Sequence, residues 1–369
     1  HARSVGDRSV GDRVARPRSR HLETRACGGG GAPVATCRAM TRVRVLEWVR
    51  YPNGVWNLPR ELARSLADGV PGVEVCCPES RDEAEALLPD TDVVLGFAVR
   101  PDNLSQASRL RWIHCTAASV TGVLFPALVE SDVLVTNARG LHGDAMAEHA
   151  LGMMLAFTRK LHHARDAQHA HDWAQVAQWT APPPIGLLAG STLGLVGFGA
   201  IGSALAVRAR ALGMRVIAVR KHPAADPAPA DAQWDAARLH DLLAVADWVV
   251  LVAPHTPETD GMIGSRELSW MKPGARLVNM GRGALVDEAA LIEALRSGRL
   301  AGAALDVFSE EPLPASSPLW DMREVILTPH TSGLAPRYWE RAMEQFTDNL
   351  RRWLAGQPLS NLVDKRAGY

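Results

Sequence analysis

The chain has 369 residues, with 40 Lys plus Arg against 40 Asp plus Glu, 47% hydrophobic and 22% charged residues. That length exceeds one compact core and points to two domains. The balanced charge argues against a broad nucleic-acid or membrane surface, and no apolar run reaches the roughly 18–20 residues of a membrane helix. Cys27, Cys37, Cys76, Cys77 and Cys115 show no metal-ligand spacing, which reads as a reduced, cytoplasmic protein. The adjacent Cys76 and Cys77 are expected to be buried or half-buried thiols rather than a strained vicinal disulfide.

Residues 1–44 hold ten Arg and three acids, including the direct repeat "RSVGDRSVGDR", and lack any apolar periodicity or signal-peptide core. Residues 1–40 therefore read as a disordered basic extension, with a native start at Met40. Beyond it, "VRVLEWV" (43–49), "DVVLGFAV" (92–99), "LRWIHCTA" (110–117) and "DVLVTNA" (132–138) read as strands. "LPRELARSLADGV" reads as an amphipathic helix ending at Gly69. Short apolar strands alternating with helices imply parallel βαβ units.

A long helix is expected at about 143–165, with Met146, Ala150, Met153, Phe157 and Leu161 on one face. A second βαβ series follows, with strands expected at 192–197, 215–219, 247–253, 275–281, 301–307 and 324–330. The last helix is expected to start at Pro336 and stop before Gly356, striped by Trp339, Met343, Phe346, Leu350 and Trp353. It lies too far past the last strand to be a simple crossover and should run back onto the first domain. The expected organisation is a substrate-binding domain over 41–140 plus 335–369, and a Rossmann dinucleotide-binding domain over 141–334.

"LVGFGAIGS" (195–203) carries G-x-G-x-x-G at Gly197, Gly199 and Gly202, directly after an apolar strand and at the start of a helix. Gly197 would make the tight turn, Gly199 would let backbone approach a pyrophosphate, and Gly202 would let helix and strand pack closely. The helix N-terminus would offer free N–H groups to the phosphates. At the end of the next strand, where a carboxylate usually accepts from the ribose 2′-OH, stand Arg220 and Lys221. Neither can accept, but both can neutralise a 2′-phosphate, so NADP(H) is the expected cofactor and NAD(H) the alternative.

Arg282 in "NMGRGALVD", Glu311 in "LDVFSEEPLP" and His330 in "LTPHTSG" fall at strand-to-loop ends, where parallel sheets bind ligands. Reduction of a 2-oxo acid needs a cation for the carboxylate, a proton donor for the developing alkoxide and a group that orients that donor. A guanidinium, an imidazole and a carboxylate supply these. Singly, each has a bland reading: a surface arginine, a helix-start acid, a satisfied loop histidine.

Together, from about 41 to 358, they resemble the D-isomer-specific 2-hydroxyacid dehydrogenases. The resemblance rests on "VGFGAIGSALAVRARALGMRVIAV", "APHTPETDGMIG", "MKPGARLVNMGRGALVDEAALIEAL", "GRLAGAALDVFSEEPLP" and "VILTPHTSG", in matching order and spacing. It implies an α/β fold of two Rossmann-like or flavodoxin-like domains with parallel sheets and a cleft between them. It also implies a catalytic set of Arg282, Glu311 and His330, with Asp306 on the nicotinamide carboxamide and Ala200 and Ile201 along the pyrophosphate. Pro254, Thr259, Met280 and Gly333 complete the cofactor set it implies. "CTAASVTG" (115–122) stands where the family's substrate loop falls, so the backbone of Ala118, Ser119 and Val120, with Arg282, would meet the substrate carboxylate. The implied partners are a small 2-oxo or 2-hydroxy acid, such as glyoxylate or hydroxypyruvate, and a second copy of the chain. A phosphite-type dehydrogenase and a dinucleotide-sensing scaffold are the alternatives.

Three departures stand out. Arg220 replaces the usual acid, the substrate loop lacks a Gly-Val-Asp run, and Arg139 occupies a position where a small residue or Pro is common. Glu311 argues against the formate dehydrogenase branch, which carries Gln there. His162, His163, His169 and His171 cluster after the long helix with no acid or Cys to complete a set, so no metal is expected. Trp48, Trp56, Trp112, Trp320 and Trp339 are expected in the core or cleft wall, with Trp56 or Trp339 as candidates to touch substrate.

Overall fold

The computed structural model describes residues 42–51, 54 and 56–369. The expected basic extension over 1–40, with Cys27, Cys37 and Met40, lies outside the described residues. Two parallel sheets organise the rest. The first contains β1 (Val43–Trp48), β2 (Val73–Cys76), β3 (Val93–Gly96), β4 (Trp112–Cys115) and β5 (Leu134–Asn137), in the order β2-β1-β3-β4-β5. The second contains β6 (Thr192–Val196), β7 (Arg215–Arg220), β8 (Ala232–Asp235), β9 (Trp248–Leu251), β10 (Arg276–Asn279), β11 (Gly302–Leu305) and β12 (Val325–Leu327). Its order is β12-β11-β10-β9-β6-β7-β8. Both orders reverse direction once, beside β1 and beside β6, and such switch points open crevices at the carboxyl ends of the strands.

Helices α1 (Arg60–Gly69), α2 (Arg81–Leu87) and α3 (Pro126–Val129) accompany the first sheet. Helices α4 (Gly143–Thr158), α5 (Leu161–His169) and α6 (Gln175–Thr180) lead to the second. Helices α7 (Ala200–Ala211), α8 (Leu239–Val245), α9 (Ser265–Trp270) and α10 (Glu288–Arg296) follow, and α11 (Tyr338–Leu354) closes the chain. The strands β2 and β8 were not expected: "VEVC" and "AQWD" are short and half-polar, and only pairing along their full length makes them strands.

The long helix expected at 143–165 is two helices. Lys160 adopts a left-handed backbone (φ 54) that ends α4, and its buried ammonium donates to the carbonyls of Gln178 and Ala181. The break rotates Leu161 off the apolar face, leaving it 55% exposed, while Met146, Ala150, Met153 and Phe157 are buried. The last helix begins two residues after Pro336, because Arg337 takes a left-handed conformation (φ 57) just before it, and ends ahead of Gly356. Its Met343, Phe346 and Leu350 join Val45, Leu66, Val93, Leu95 and Trp112 in the core on one face of the first sheet. Phe346 stacks on Trp112, ring centroids 5.2 Å apart.

Cys76, Cys77 and Cys115 are free thiols. His162 and His163 lie ring against ring at 4.0 Å, while His169 and His171 are exposed. Among the described residues no three His, Cys, Asp or Glu converge as metal ligands, and no helix is long and apolar enough to cross a membrane. Trp320, expected in the core or cleft wall, is 55% exposed, its indole N–H donating to Pro314 O.

Candidate active site

The glycine-rich turn leaves β6 at the switch point and enters α7. Gly197 has φ +98, and a Cβ there would lie 2.7 Å from Ala253 N; one on Gly202 would lie 2.8 Å from Gly197 O. Gly197 therefore needs glycine for both conformation and close approach, and Gly202 for close approach alone. Nothing stands within 4 Å of the Cβ position of Gly199, and Gly199 and Ala200 are exposed at the head of α7, with Ile201 half-buried. The site fits a dinucleotide pyrophosphate: open backbone, a helix N-terminus with free N–H groups and no side chain in the way. Arg220 ends β7, half-buried, with Lys221 exposed beside it. Neither side chain makes a hydrogen bond or ion pair among the described residues. Thr259, in the loop after β9, donates its hydroxyl proton to Pro254 O, and Met280 is buried just past β10.

Three neighbouring strand ends carry the remaining chemistry. Arg282 follows β10, half-buried, and Nη1 donates to Gly281 O at 2.6 Å. Burial pushes its guanidinium pKa down, and the Glu311 carboxylate pushes it back up. Arginine stays cationic at neutral pH in either case. Glu311 accepts the Phe308 N–H at 3.0 Å through Oε1, and His330 Nδ1 lies 2.7 Å from its Oε2. A carboxylate can only accept, so Nδ1 carries the proton and Nε2 is left to exchange one. His330 has φ 51, uncommon for a residue with a side chain, and its N–H reaches Asp306 O and Thr328 O.

Gly283 explains how these ends stay together. A Cβ on it would fall 1.9 Å from the Phe308 carbonyl, so the Arg282 turn is pressed against the segment leading to Glu311. Asp306, at the end of β11, is fully buried. Its Oδ1 accepts from the Thr328 hydroxyl (2.6 Å) and Thr331 N (2.9 Å), and its Oδ2 from Ser332 N (3.0 Å). Its carboxylate thus fixes the loop that carries His330, a task its sequence context did not suggest.

The first sheet meets this loop through two residues absent from the sequence reading. Tyr338 donates its hydroxyl proton to Thr116 O at 2.6 Å, and the His142 ring stacks on Tyr338 at 5.1 Å. Burial pushes the His142 pKa down, with Arg341 and Arg282 adding to the effect, so the neutral ring's Nδ1–H is set to donate to Gly333 O at 3.1 Å. A His followed by Gly-Asp after a strand was the only available signal, and it is weak. On the expected substrate loop, the N–H groups of Ala118, Ser119 and Val120 reach no acceptor among the described residues. Val120 as a whole is buried, 1% exposed, with its side chain in the core of the first sheet. Arg139 binds Asn361 Oδ1 and Leu362 O of the C-terminal segment, which accounts for its departure without any role at the substrate. Trp56 and Trp339 pack against Tyr338 and against each other.

A glycine-rich turn at a switch point, with a histidine–carboxylate pair and an arginine at adjacent strand ends, defines a dinucleotide-dependent oxidoreductase of the two-sheet α/β class. A family model described as "D-isomer specific 2-hydroxyacid dehydrogenase, NAD binding domain" matches residues 151–332. The chain is 36% identical to a glycerate dehydrogenase of Methylorubrum extorquens over 269 residues, 72% of this chain and 82% of that protein. It is 34% identical to a D-3-phosphoglycerate dehydrogenase of Mycobacterium leprae over 85% of this chain, spanning 58% of that longer protein. Among solved structures, an NADPH-dependent glyoxylate/hydroxypyruvate reductase of Sinorhizobium meliloti, in complex with NADP and sulfate, superposes with a TM-score of 0.73 at 26% identity. That match covers 89% of this chain and all of the other. The chain belongs to the D-isomer-specific 2-hydroxyacid dehydrogenase family. It is an NAD(P)-dependent oxidoreductase acting on CH–OH groups.

Proposed function

We propose that this enzyme is an NADP(H)-preferring reductase of small 2-oxo acids, with glyoxylate and hydroxypyruvate as first candidates. His330 is the proton carrier, Glu311 its orienting partner and Arg282 the carboxylate anchor. The observation that carries the reading is the 2.7 Å His330–Glu311 pair, at strand ends beside a half-buried, cationic Arg282. The nicotinamide, when bound, supplies or accepts the hydride. Arg282 grips the substrate carboxylate and polarises the carbonyl. His330 gives the proton from Nε2 to the developing alkoxide, and Glu311 holds Nδ1 so that the ring cannot turn. The N–H groups of Ala118, Ser119 and Val120, without acceptors among the described residues, complete the carboxylate site. Asp306 reaches the carboxamide with the lone pair its loop contacts leave free.

The NADP(H) preference rests on Arg220 and Lys221, charged and without partners among the described residues at the end of β7. The reductase of Sinorhizobium meliloti, described as NADPH-dependent and named for these two acids, supports both the cofactor and the substrate class. We take the substrate-binding domain as 41–140 plus 335–369 and the cofactor domain as 141–334. We further propose a cytoplasmic homodimer. The exposed Trp173, Val176 and Trp179 on and beside α6 supply apolar surface for a second copy.

The test is an absorbance assay with NADPH and NADH against glyoxylate and hydroxypyruvate, on wild type and His330→Ala. The variant should bind cofactor normally and lose about 10²–10⁴-fold in kcat, the usual contribution of a general acid. Wild-type turnover in the variant would overturn the assignment of His330.

A further inference from the structure

A hydrogen-bonded chain runs behind the His330 loop and ends on a residue with no role in the chemistry so far. His149 lies on the second turn of α4, its side chain 22% exposed towards an open cavity of about 380 Å³ bordered by Thr331, Ser332 and Arg341. Its Nε2 is 3.0 Å from the Thr328 hydroxyl, which is 2.6 Å from Asp306 Oδ1. Both Asp306 oxygens already accept backbone N–H groups, from Thr331 and Ser332, so the Thr328 hydroxyl donates to Oδ1. With its single proton spent, that hydroxyl can only accept from His149, so Nε2 carries hydrogen. Donor order along the chain is thus fixed as His149 to Thr328 to Asp306.

The chain brackets His330. Thr328 lies two residues before it, Thr331 and Ser332 directly after it, and its own N–H is held by Asp306 O and Thr328 O. The left-handed backbone at His330 (φ 51) costs energy that neighbouring contacts must supply. Helix α4 is packed firmly on α7 through the buried Met146, Ala147, Ala150 and Met154, so His149 is a donor on a rigid base. We propose that His149 is a positioning residue for the reaction. By locking the Thr328 rotor towards Asp306, it holds the His330 loop where Nδ1 meets Glu311. The proposal rests on the reading of His330 as proton carrier.

The experiment compares His149→Ala, His149→Gln, Thr328→Val and the pair His149→Ala/Thr328→Val in the full chain. It reads kcat, KM, thermal midpoint and the Kd of NADPH and NADH by fluorescence titration. His149→Ala and Thr328→Val should each lower kcat roughly ten- to hundredfold, the scale of a displaced catalytic group. Cofactor Kd should hold. The double variant should be no worse than the singles, because both break one chain. Gln places an N–H near the position of Nε2 and should restore most of kcat, which a merely space-filling role would not predict. Unchanged kcat in His149→Ala, a Gln variant as slow as Ala, or multiplying losses in the double would each overturn the proposal. If Thr328→Val does not fold, the Ala and Gln pair decides alone. His330→Ala separates the two levels: inactive His330→Ala beside a normal His149→Ala sinks only the relay, whereas active His330→Ala sinks both.

Discussion

His330 sits in the left-handed region of backbone space, where few residues other than glycine go, and the carbonyls of Asp306 and Thr328 hold its N–H there. The chemistry proposed for it depends on that placement as much as on the imidazole. Arg220 is the opposite case, a side chain at a strand end with no partner among the described residues. A charge-assisted contact to a 2′-phosphate contributes about 1.5–3 kcal/mol, so Arg220→Asp should cost NADPH roughly ten- to hundredfold in kcat/KM. Turnover with NADH should hold or rise; an unchanged cofactor ratio would remove Arg220 from the argument. His114 carries a stability prediction instead. It is fully buried between Trp112 and Phe346, bonded to the Thr136 hydroxyl, and burial lowers its pKa to about 3. The native ring stays neutral while the unfolded one takes a proton below the usual histidine value. The unfolded state then binds more protons, and stability falls as pH drops from that value towards the lowered one. At pH 5 the cost is about 2 kcal/mol relative to pH 7. Urea midpoints at both pH values should converge in His114→Phe; an equal acid loss in variant and wild type would contradict this.

Elements join here through contacts that tolerate little change. The Arg282 turn and the segment carrying Glu311 touch at Gly283, where a methyl group would overlap the Phe308 carbonyl. Gly283→Ala must push these segments apart. We expect a loss of about 3 kcal/mol, at the upper end for overpacking. A fall in kcat should accompany it, since the Phe308 N–H that holds Glu311 moves too. Wild-type melting and turnover would show that the contact is slack. The break at Lys160 illustrates the limits of periodicity. The apolar spacing continues through Leu161, yet an ammonium capturing two carbonyls some twenty residues ahead ends the helix. Nothing within α4 or α5 announces those acceptors. By contrast, the ends of α1 and α11 were legible at Gly69 and Gly356, the latter in the left-handed conformation (φ 67) that closes a helix.

At the scale of the molecule, the chain's return matters most. Helix α11 packs on the first sheet, more than two hundred residues upstream, and its Tyr338 ties Thr116 to the His142–Gly333 contact beside the catalytic loop. Both sheets therefore bear on one site. Phe346, fully buried against Trp112, anchors the helix. Phe346→Ala should cost about 3–5 kcal/mol, read as a lowered denaturant midpoint, as for other large-to-small changes in a packed core. A cost within experimental error would mean that the helix is held from elsewhere.

Legible in the sequence were the α/β class, ten of the twelve strands among the described residues, the glycine-rich turn and the identity of the residues at the three strand ends. These are local matters: glycines dictated by a turn, buried parallel strands written as apolar runs, and chemistry-bearing residues in fixed motifs. Tertiary structure alone decided that Val120 turns inward, that Arg139 clasps the C-terminal segment, that Asp306 fixes the catalytic loop, and that His142, His149 and Tyr338 bear on it. Each of these depends on hydrogen bonds or packing between residues far apart in sequence. Such partners have no periodicity to betray them, and only the folded chain brings them within reach.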